Sequence, residues 1–185
     1  MMTVLAIPGS LRRASYNRAL LRAAKDLAPP QMSVVVYEEL GSIPLFDEDV
    51  EAETGGGPES VRRLRDRIEA ADGLLISTPE YNHSVPGVLK NAIDWLSRPA
   101  PREVLAGKPV AIMGASGGPW GTRLAQSALR QILYATECIA LPRPALFIRT
   151  AGALFDETGQ LTDATTRERL ASLVAAFGAW MVRLG

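Results

Sequence analysis

The sequence predicts an α/β fold: one domain built on a doubly wound parallel sheet with helices on both faces. Three observations predict it. Five short, mostly apolar runs occur at 3–8, 32–38, 73–78, 109–115 and 145–150. Stretches with apolar residues at helical spacing separate them, and that alternation is the mark of a parallel sheet covered by helices. The chain has 185 residues, 47% of them hydrophobic and 22% charged, which suits one core. No internal repeat or composition break divides it, so residues 1–185 read as a single domain.

Each element has its own justification. "TVLAIP" (3–8) is a strand buried on both faces. Asn17 to Ala28 reads as a helix, with Leu20, Ala24 and Leu27 on one face and Arg18, Arg22, Lys25 and Asp26 left for water. "MSVVVYE" (32–38) is the second strand. Residues 39–58 read as a long, flexible connection ending in "TGGGP". A helix follows near Glu59, carrying Val61, Leu64, Ile68 and Ala71 at helical spacing. Its arginines at 62, 63, 65 and 67 read as a solvated face. "GLLIST" (73–78) is the third strand and Val85 to Leu96 the next helix. "PVAIMGA" (109–115) is the fourth strand, and Gly121 to Ala135 a helix. "ALFIRT" (145–150) is the fifth strand, and Ala164 to Val182 the closing helix.

Composition excludes several classes. Lys+Arg and Asp+Glu both total 20, so no charge excess points to nucleic acid, an anionic membrane or a basic partner. Cys138 is the one cysteine, which rules out an intrachain disulfide and a multi-cysteine zinc site. His83 is the one histidine, so any Ser-His-Asp or His-rich metal site needs it. The N-terminal stretch lacks a basic n-region, and no apolar run reaches the ~20 residues of a membrane span. A cytoplasmic, reducing location is the plain expectation.

Five strands in this order suit the flavodoxin-like doubly wound architecture. Its ligand site lies beyond the carboxyl ends of the strands, where the strand order reverses. The loops after strands one, three and four meet there, and they are the three most unusual stretches of the chain: "PGSLRRASYN", "PEYNHSVPG" and "SGGPWG". The first joins a strand to a helix N-terminus, a natural seat for an anion. It has neither the later glycines of a dinucleotide fingerprint nor the GK[ST] of a P-loop. Its side-chain donors suit a terminal phosphate monoester. Ser10 and Ser15 offer hydroxyls, Arg12 the charge, Asn17 its amide and Tyr16 its backbone N–H. Locally, Ser15 also reads as a helix cap and the arginines as solvated.

The motif "PEYNHSVPGVLKNAIDW", with "GSLRRASYN" upstream and "GASGGPWG" downstream, resembles the NADPH-dependent FMN reductase family. Quinone, azo-dye and chromate reductases are among its flavodoxin-like members. The resemblance covers nearly the whole chain, with three separated motifs in the right order. It implies that Ser10, Arg12, Ser15 and Asn17 bind FMN phosphate. It implies that Pro79, Glu80, Tyr81 and Asn82 lie along the ribityl chain and isoalloxazine, and that Ser116, Gly117 and Gly118 border the ring's polar edge. The chemistry of the residues agrees: a flat ring needs an aromatic contact, which Tyr81 offers, and edge donors from nearby backbone amides. Glu80 is expected to contribute only backbone there, since its carboxylate sits poorly beside a phosphate.

The reading that follows is a flavoenzyme taking electrons from NADPH or NADH through FMN to a small-molecule acceptor. Quinones, azo compounds, nitroaromatics, free flavin and metal oxyanions are candidates. No side chain is nominated as catalytic, because the cofactor carries the redox chemistry. No single residue reads the 2′-phosphate, so NADPH against NADH stays open. The resemblance also implies a homodimer or homotetramer, with helix 85–96 the first candidate for the contact. His83 and Trp120 have no assigned role; Trp120 either lines the substrate entrance or packs under its loop. Trp95 reads as packing or subunit contact, and Cys138 as a buried apolar filler. One alternative is a flavodoxin-type electron carrier without a nicotinamide site, although such carriers are usually strongly acidic. The others are a flavin-binding regulatory protein and a nucleotide-binding domain on the same fold.

Overall fold

The computed structural model describes residues 1–98 and 103–184. Its centre is a wholly parallel sheet ordered β2-β1-β3-β4-β5, with β6 also pairing β4. The strands are β1 (Met2–Pro8), β2 (Met32–Val36), β3 (Gly73–Ser77), β4 (Pro109–Ala115), β5 (Ile139–Ala140) and β6 (Leu146–Ile148). The helices are α1 (Tyr16–Asp26), α2 (Glu48–Thr54), α3 (Glu59–Glu69), α4 (Gly87–Leu96), α5 (Arg123–Ala135) and α6 (Ala164–Leu184). This is the doubly wound α/β fold that the alternation of runs predicts. Among the described residues no helix is long and apolar enough to cross a membrane.

The two faces of the sheet explain why the central strands are apolar throughout. Leu5, Ile7, Leu74, Ile76, Val110 and Ile112 point to one face, against Leu64 of α3, Trp95 of α4 and Leu129 of α5. Val4, Ala6, Leu75, Ala111 and Met113 point to the other, against Leu20 of α1 and Phe177 of α6. With both faces covered, a strand has no polar side to show.

Three expectations need correction, and for Trp95 the structure decides between packing and subunit contact. The fifth strand is two pieces: the short β5, unseen in the sequence, precedes β6, and both pair with β4. Two residues give no periodicity to read. The 39–58 connection is docked, not loose. Asp47 caps α2 by accepting from Asp49 N at 2.9 Å, and Gly55 closes it with a left-handed φ of 65°. Phe46 N donates to Asn91 Oδ1 at 2.8 Å, and the Trp95 indole donates to Pro44 O at 2.9 Å. Trp95 is therefore core of its own chain, fully buried, which excludes a subunit contact through that side chain. Finally, Arg65 departs from the solvated arginine face. Its buried guanidinium donates to the carbonyls of Trp95 and Arg98 and ties α3 to the end of α4. That burial holds its pKa below the ordinary value, with Glu51 acting in the opposite sense.

Cys138 is the buried filler the sequence suggests. Its thiol donates to Leu105 O at 3.3 Å, and burial pushes its pKa up, outweighing the Thr136 hydrogen bond and the charge of Lys108. Iodoacetamide at pH 8 is expected to leave Cys138 unmodified in the native protein and to alkylate it in denaturant. Mass spectrometry reads the result, and rapid native labelling would contradict the burial.

Candidate active site

The ends of β1, β3 and β4 hold the three loops together. A buried polar knot does the work. Asn17, at the start of α1, accepts through Oδ1 from Ser77 Oγ and from Ala115 N, both at 2.9 Å. Its Nδ2 donates to Ala115 O at 2.9 Å. The loop after β4 is fastened on its other side to β6 and the residues after it. Ser116 N donates to Ile148 O, Thr150 N to Gly118 O and Ala151 N to Ser116 O. Gly114 is needed for the close packing here, since a Cβ would lie 2.1 Å from Thr122 Oγ1 and 2.4 Å from Thr78 O.

A cleft of about 170 Å³ opens between these loops. Its walls are Ser10, Arg12, Ser15, Tyr16 and Asn17 from the first loop, Pro79, Glu80 and Tyr81 from the second, and Ala115, Ser116 and Gly117 from the third. Ten of the twelve residues singled out in the sequence thus share one cavity. Asn82 and Gly118 stand outside its lining. Ala115 lines it unforeseen, because an alanine ending an apolar run carries no signal.

Ser10 and Ser15 are buried, and Ser15 makes no side-chain cap bond to α1, so its hydroxyl is not consumed by the helix. Ser10 Oγ accepts from Arg12 N at 3.3 Å. The Arg12 guanidinium lies 5.2 Å from the Tyr16 ring centroid, and that ring stacks on Phe155 with centroids 5.4 Å apart. Two hydroxyls, a cation and a helix N-terminus therefore converge at one end of the cleft. That donor set fits the phosphate of FMN.

The other end is walled by the second and third loops. Tyr81 is half exposed at the mouth. The segment from Tyr81 to Ser84 is a tight turn in which the two residues exchange backbone hydrogen bonds of 3.0 Å. Asn82 and His83 occupy its corners with φ of 50° and 63°, the paired left-handed positions of a type I′ turn. Gly118 N is spent on Ser116 Oγ and Tyr81 N on Ser84 O. Among the described residues the N–H groups of Glu80, Asn82 and Gly117 donate to nothing, leaving them for a ligand.

The Glu80 carboxylate turns away from the cleft. It accepts from Leu124 N at 2.9 Å and Ala125 N at 3.1 Å, which caps α5 and anchors the second loop to it. His83 Nδ1 stands 3.7 Å from its other oxygen and is itself exposed. Glu80→Ala is expected to cost about 1–2 kcal/mol of stability, the loss of a charged cap. Urea unfolding reads it, and an unchanged midpoint would mean the cap is idle.

The sequence model of the NADPH-dependent FMN reductase family matches residues 2–153. The chain belongs to that family. It is therefore an oxidoreductase and flavoprotein, with FMN as cofactor and a nicotinamide nucleotide as co-substrate. An NAD(P)H-dependent FMN reductase of Pseudomonas aeruginosa is 48% identical over 181 residues, covering 98% of this chain and 96% of that one. A quinone reductase of Escherichia coli is 41% identical over 184 residues, covering 99% and 97%. Among solved structures, the flavoenzyme NAD(P)H:(acceptor) oxidoreductase FerB from Paracoccus denitrificans superposes with a TM-score of 0.90. It has 37% identity and full coverage of both chains. The flavodoxin-type carrier is not favoured by these likenesses.

Proposed function

We propose that this reductase, acting as one domain over residues 1–185, passes electrons from NAD(P)H through FMN to a quinone or a similar small acceptor. The observation that carries the reading is the single cleft in which three sequence-distant loops bring phosphate donors and ring-edge amides together. Ser10, Arg12 and Ser15 would hold the phosphate, with Tyr16 and Asn17 shaping the cradle. Pro79, Glu80, Tyr81 and Asn82 would follow the ribityl chain and ring through backbone and the Tyr81 face. Ser116, Gly117 and Gly118 would border the ring's polar edge. When bound, FMN supplies hydride acceptance at its N5 and onward electron transfer.

The protein's own contribution is orientation and charge stabilisation. Unspent N–H groups at Glu80 and Asn82 would donate towards the ring's N5 side, and that of Gly117 towards its N1 and O2 edge, where reduction builds negative charge. The exposed Tyr81 at the mouth would leave one face of the ring open to nucleotide and acceptor in turn. Quinone acceptors come first because several relatives bear that activity in their names, among them a 2-hydroxy-1,4-benzoquinone reductase of a Burkholderia species. Azo, nitro, free-flavin and metal-oxyanion acceptors extend the same proposal. So do a homodimer or homotetramer joined through α4 and a cytoplasmic location.

The test is anaerobic. Purified protein loaded with FMN is expected to bleach at 450 nm within seconds of adding NADPH or NADH, and to regain colour at once with 1,4-benzoquinone. Bleaching without reoxidation by any acceptor of the panel would support a flavin-binding regulator instead. Failure to bleach with either nucleotide would support an electron carrier. Failure to take up FMN at all would remove the reading.

A further inference from the structure

A hollow of about 590 Å³ adjoins the end of the cleft where Arg12 and the two buried serines meet. The two spaces share Arg12, Ser15 and Tyr16 as wall. Beyond those three, the hollow runs between α1 and the segment 152–159, where Arg13, Arg22, Phe155 and Glu157 line it. The fold alone brings these residues together, since 152–159 follows β6 at the far end of the chain. Arg12, Arg13 and Arg22 form no ion pair among the described residues, although two carboxylates stand in the same wall. Asp156 is spent on its own loop: its Oδ1 accepts from Thr158 N at 2.9 Å, Thr158 Oγ1 at 2.7 Å and Gln160 N at 2.9 Å. Tyr16 is held between neighbours, with Phe155 stacked at 5.4 Å and the Arg12 guanidinium 5.2 Å from its ring centroid. Gly152 makes room for the phenol, since a Cβ there would lie 3.2 Å from its hydroxyl oxygen.

A cradle made for a terminal phosphate alone closes around the oxygens that the ester bond leaves free. This one opens past Arg12 and Tyr16 into a larger space. The walls of that space say what would continue from the phosphate. Arg13 and Arg22 suit a second phosphate, because a guanidinium fork meets two oxygens at once. The Tyr16 and Phe155 rings suit a flat base, and the Glu157 carboxylate suits sugar hydroxyls or an amino group as hydrogen-bond donors. The volume lies within the range of small-ligand sites. A second phosphate and a nucleoside attached to the first phosphate are what distinguish FAD from FMN.

We infer that the protein takes FAD as well as FMN, with the adenylate half of FAD in this hollow. Arg12 would then serve both phosphates, Arg13 and Arg22 the outer one, and the Tyr16–Phe155 pair the adenosine. The inference rests on the reading that places the FMN phosphate in the first loop, and it adds a second flavin to the first.

The test titrates FMN and FAD calorimetrically into the flavin-free full chain, and chromatography of the bound flavin checks that FAD stays intact. FAD is expected to bind within about tenfold of FMN, because the added contacts offset the charge that the inner phosphate loses on esterification. Arg13→Ala and Arg22→Ala, both at exposed positions, should each weaken FAD about tenfold and leave FMN unchanged, as loss of one charged partner from a phosphate implies. That selective loss should shrink as salt rises. FAD bound about a hundredfold or more less tightly than FMN would overturn the inference. So would FAD affinity unchanged in both variants, which would leave the adenylate half in solvent, or recovery of the bound flavin as FMN only. In each of these outcomes FMN still binds. The reductase reading fails on a different result, refusal of FMN itself.

Discussion

Arg12→Ala is expected to weaken FMN binding about 10- to 150-fold, the equivalent of one charged hydrogen-bonding partner lost from an anion. The guanidinium lies at the end of the cleft where Ser10 and Ser15 are buried, and Tyr16 stacked on Phe155 supports it. Arg12 is exposed in the chain itself, so its removal should leave unfolding of the apoprotein within about 0.5 kcal/mol of the parent. Riboflavin is the discriminating control, since it has the ring and ribityl chain without the phosphate. Quenching of flavin fluorescence by the apoprotein should show riboflavin affinity unchanged in the variant while FMN affinity falls. Arg12→Lys, which keeps the charge and loses the fork, should recover part of it. If riboflavin weakens as much as FMN, Arg12 acts by shaping the loop, and the phosphate belongs elsewhere.

Most of the fold was legible because its signals are local and repeated. A strand between two helical layers must be apolar on both faces, so β1, β3 and β4 declare themselves in five to seven residues. Amphipathic helices such as α3 declare themselves through Val61, Leu64 and Ile68. The failures share a cause, which is dependence on distant partners. The 39–58 segment looks loose because its anchors, Asn91 and Trp95, lie about forty to fifty positions further along. Arg65 looks solvated because the carbonyls it meets belong to the end of α4. The two-residue β5 exists only by pairing with β4.

The cleft was legible for a different reason. Its residues are contiguous within each loop, and the strand order of the fold says which loops meet. The roles within it were less legible. Glu80 is expected to offer only backbone, but nothing in the sequence says that its carboxylate caps α5 or that Asn82 sits at a turn corner.

Asn17 shows how a site residue and a structural residue can be one side chain, and its replacement should have the larger effect on stability. The sequence reading assigns it to the phosphate. In the structure its amide is 2% exposed and makes three hydrogen bonds of 2.9 Å to Ser77 and Ala115. Asn17→Ala strands the Ser77 hydroxyl and both backbone groups of Ala115 in a buried setting. An unsatisfied buried group costs about 1–3 kcal/mol, so the variant is expected to lose about 2–4 kcal/mol of stability even without FMN. FMN affinity should fall as well, because α1 would no longer hold the first loop against the ends of β3 and β4. The signature is therefore opposite to that of Arg12→Ala: a shifted urea midpoint for the apoprotein, and loss of both riboflavin and FMN binding. Asn17→Asp sharpens the point. Its carboxylate can still accept from Ser77 Oγ and Ala115 N, but it faces the Ala115 carbonyl with no proton to give and sets a negative charge beside the loop proposed to hold the phosphate. It should retain more stability than Asn17→Ala near pH 7 only if the two accepted bonds outweigh that repulsion, while FMN binding falls at least as far. An apoprotein carrying Asn17→Ala with an unshifted urea midpoint would mean that the knot does not hold the loops, and the convergence of the cleft would then need another cause.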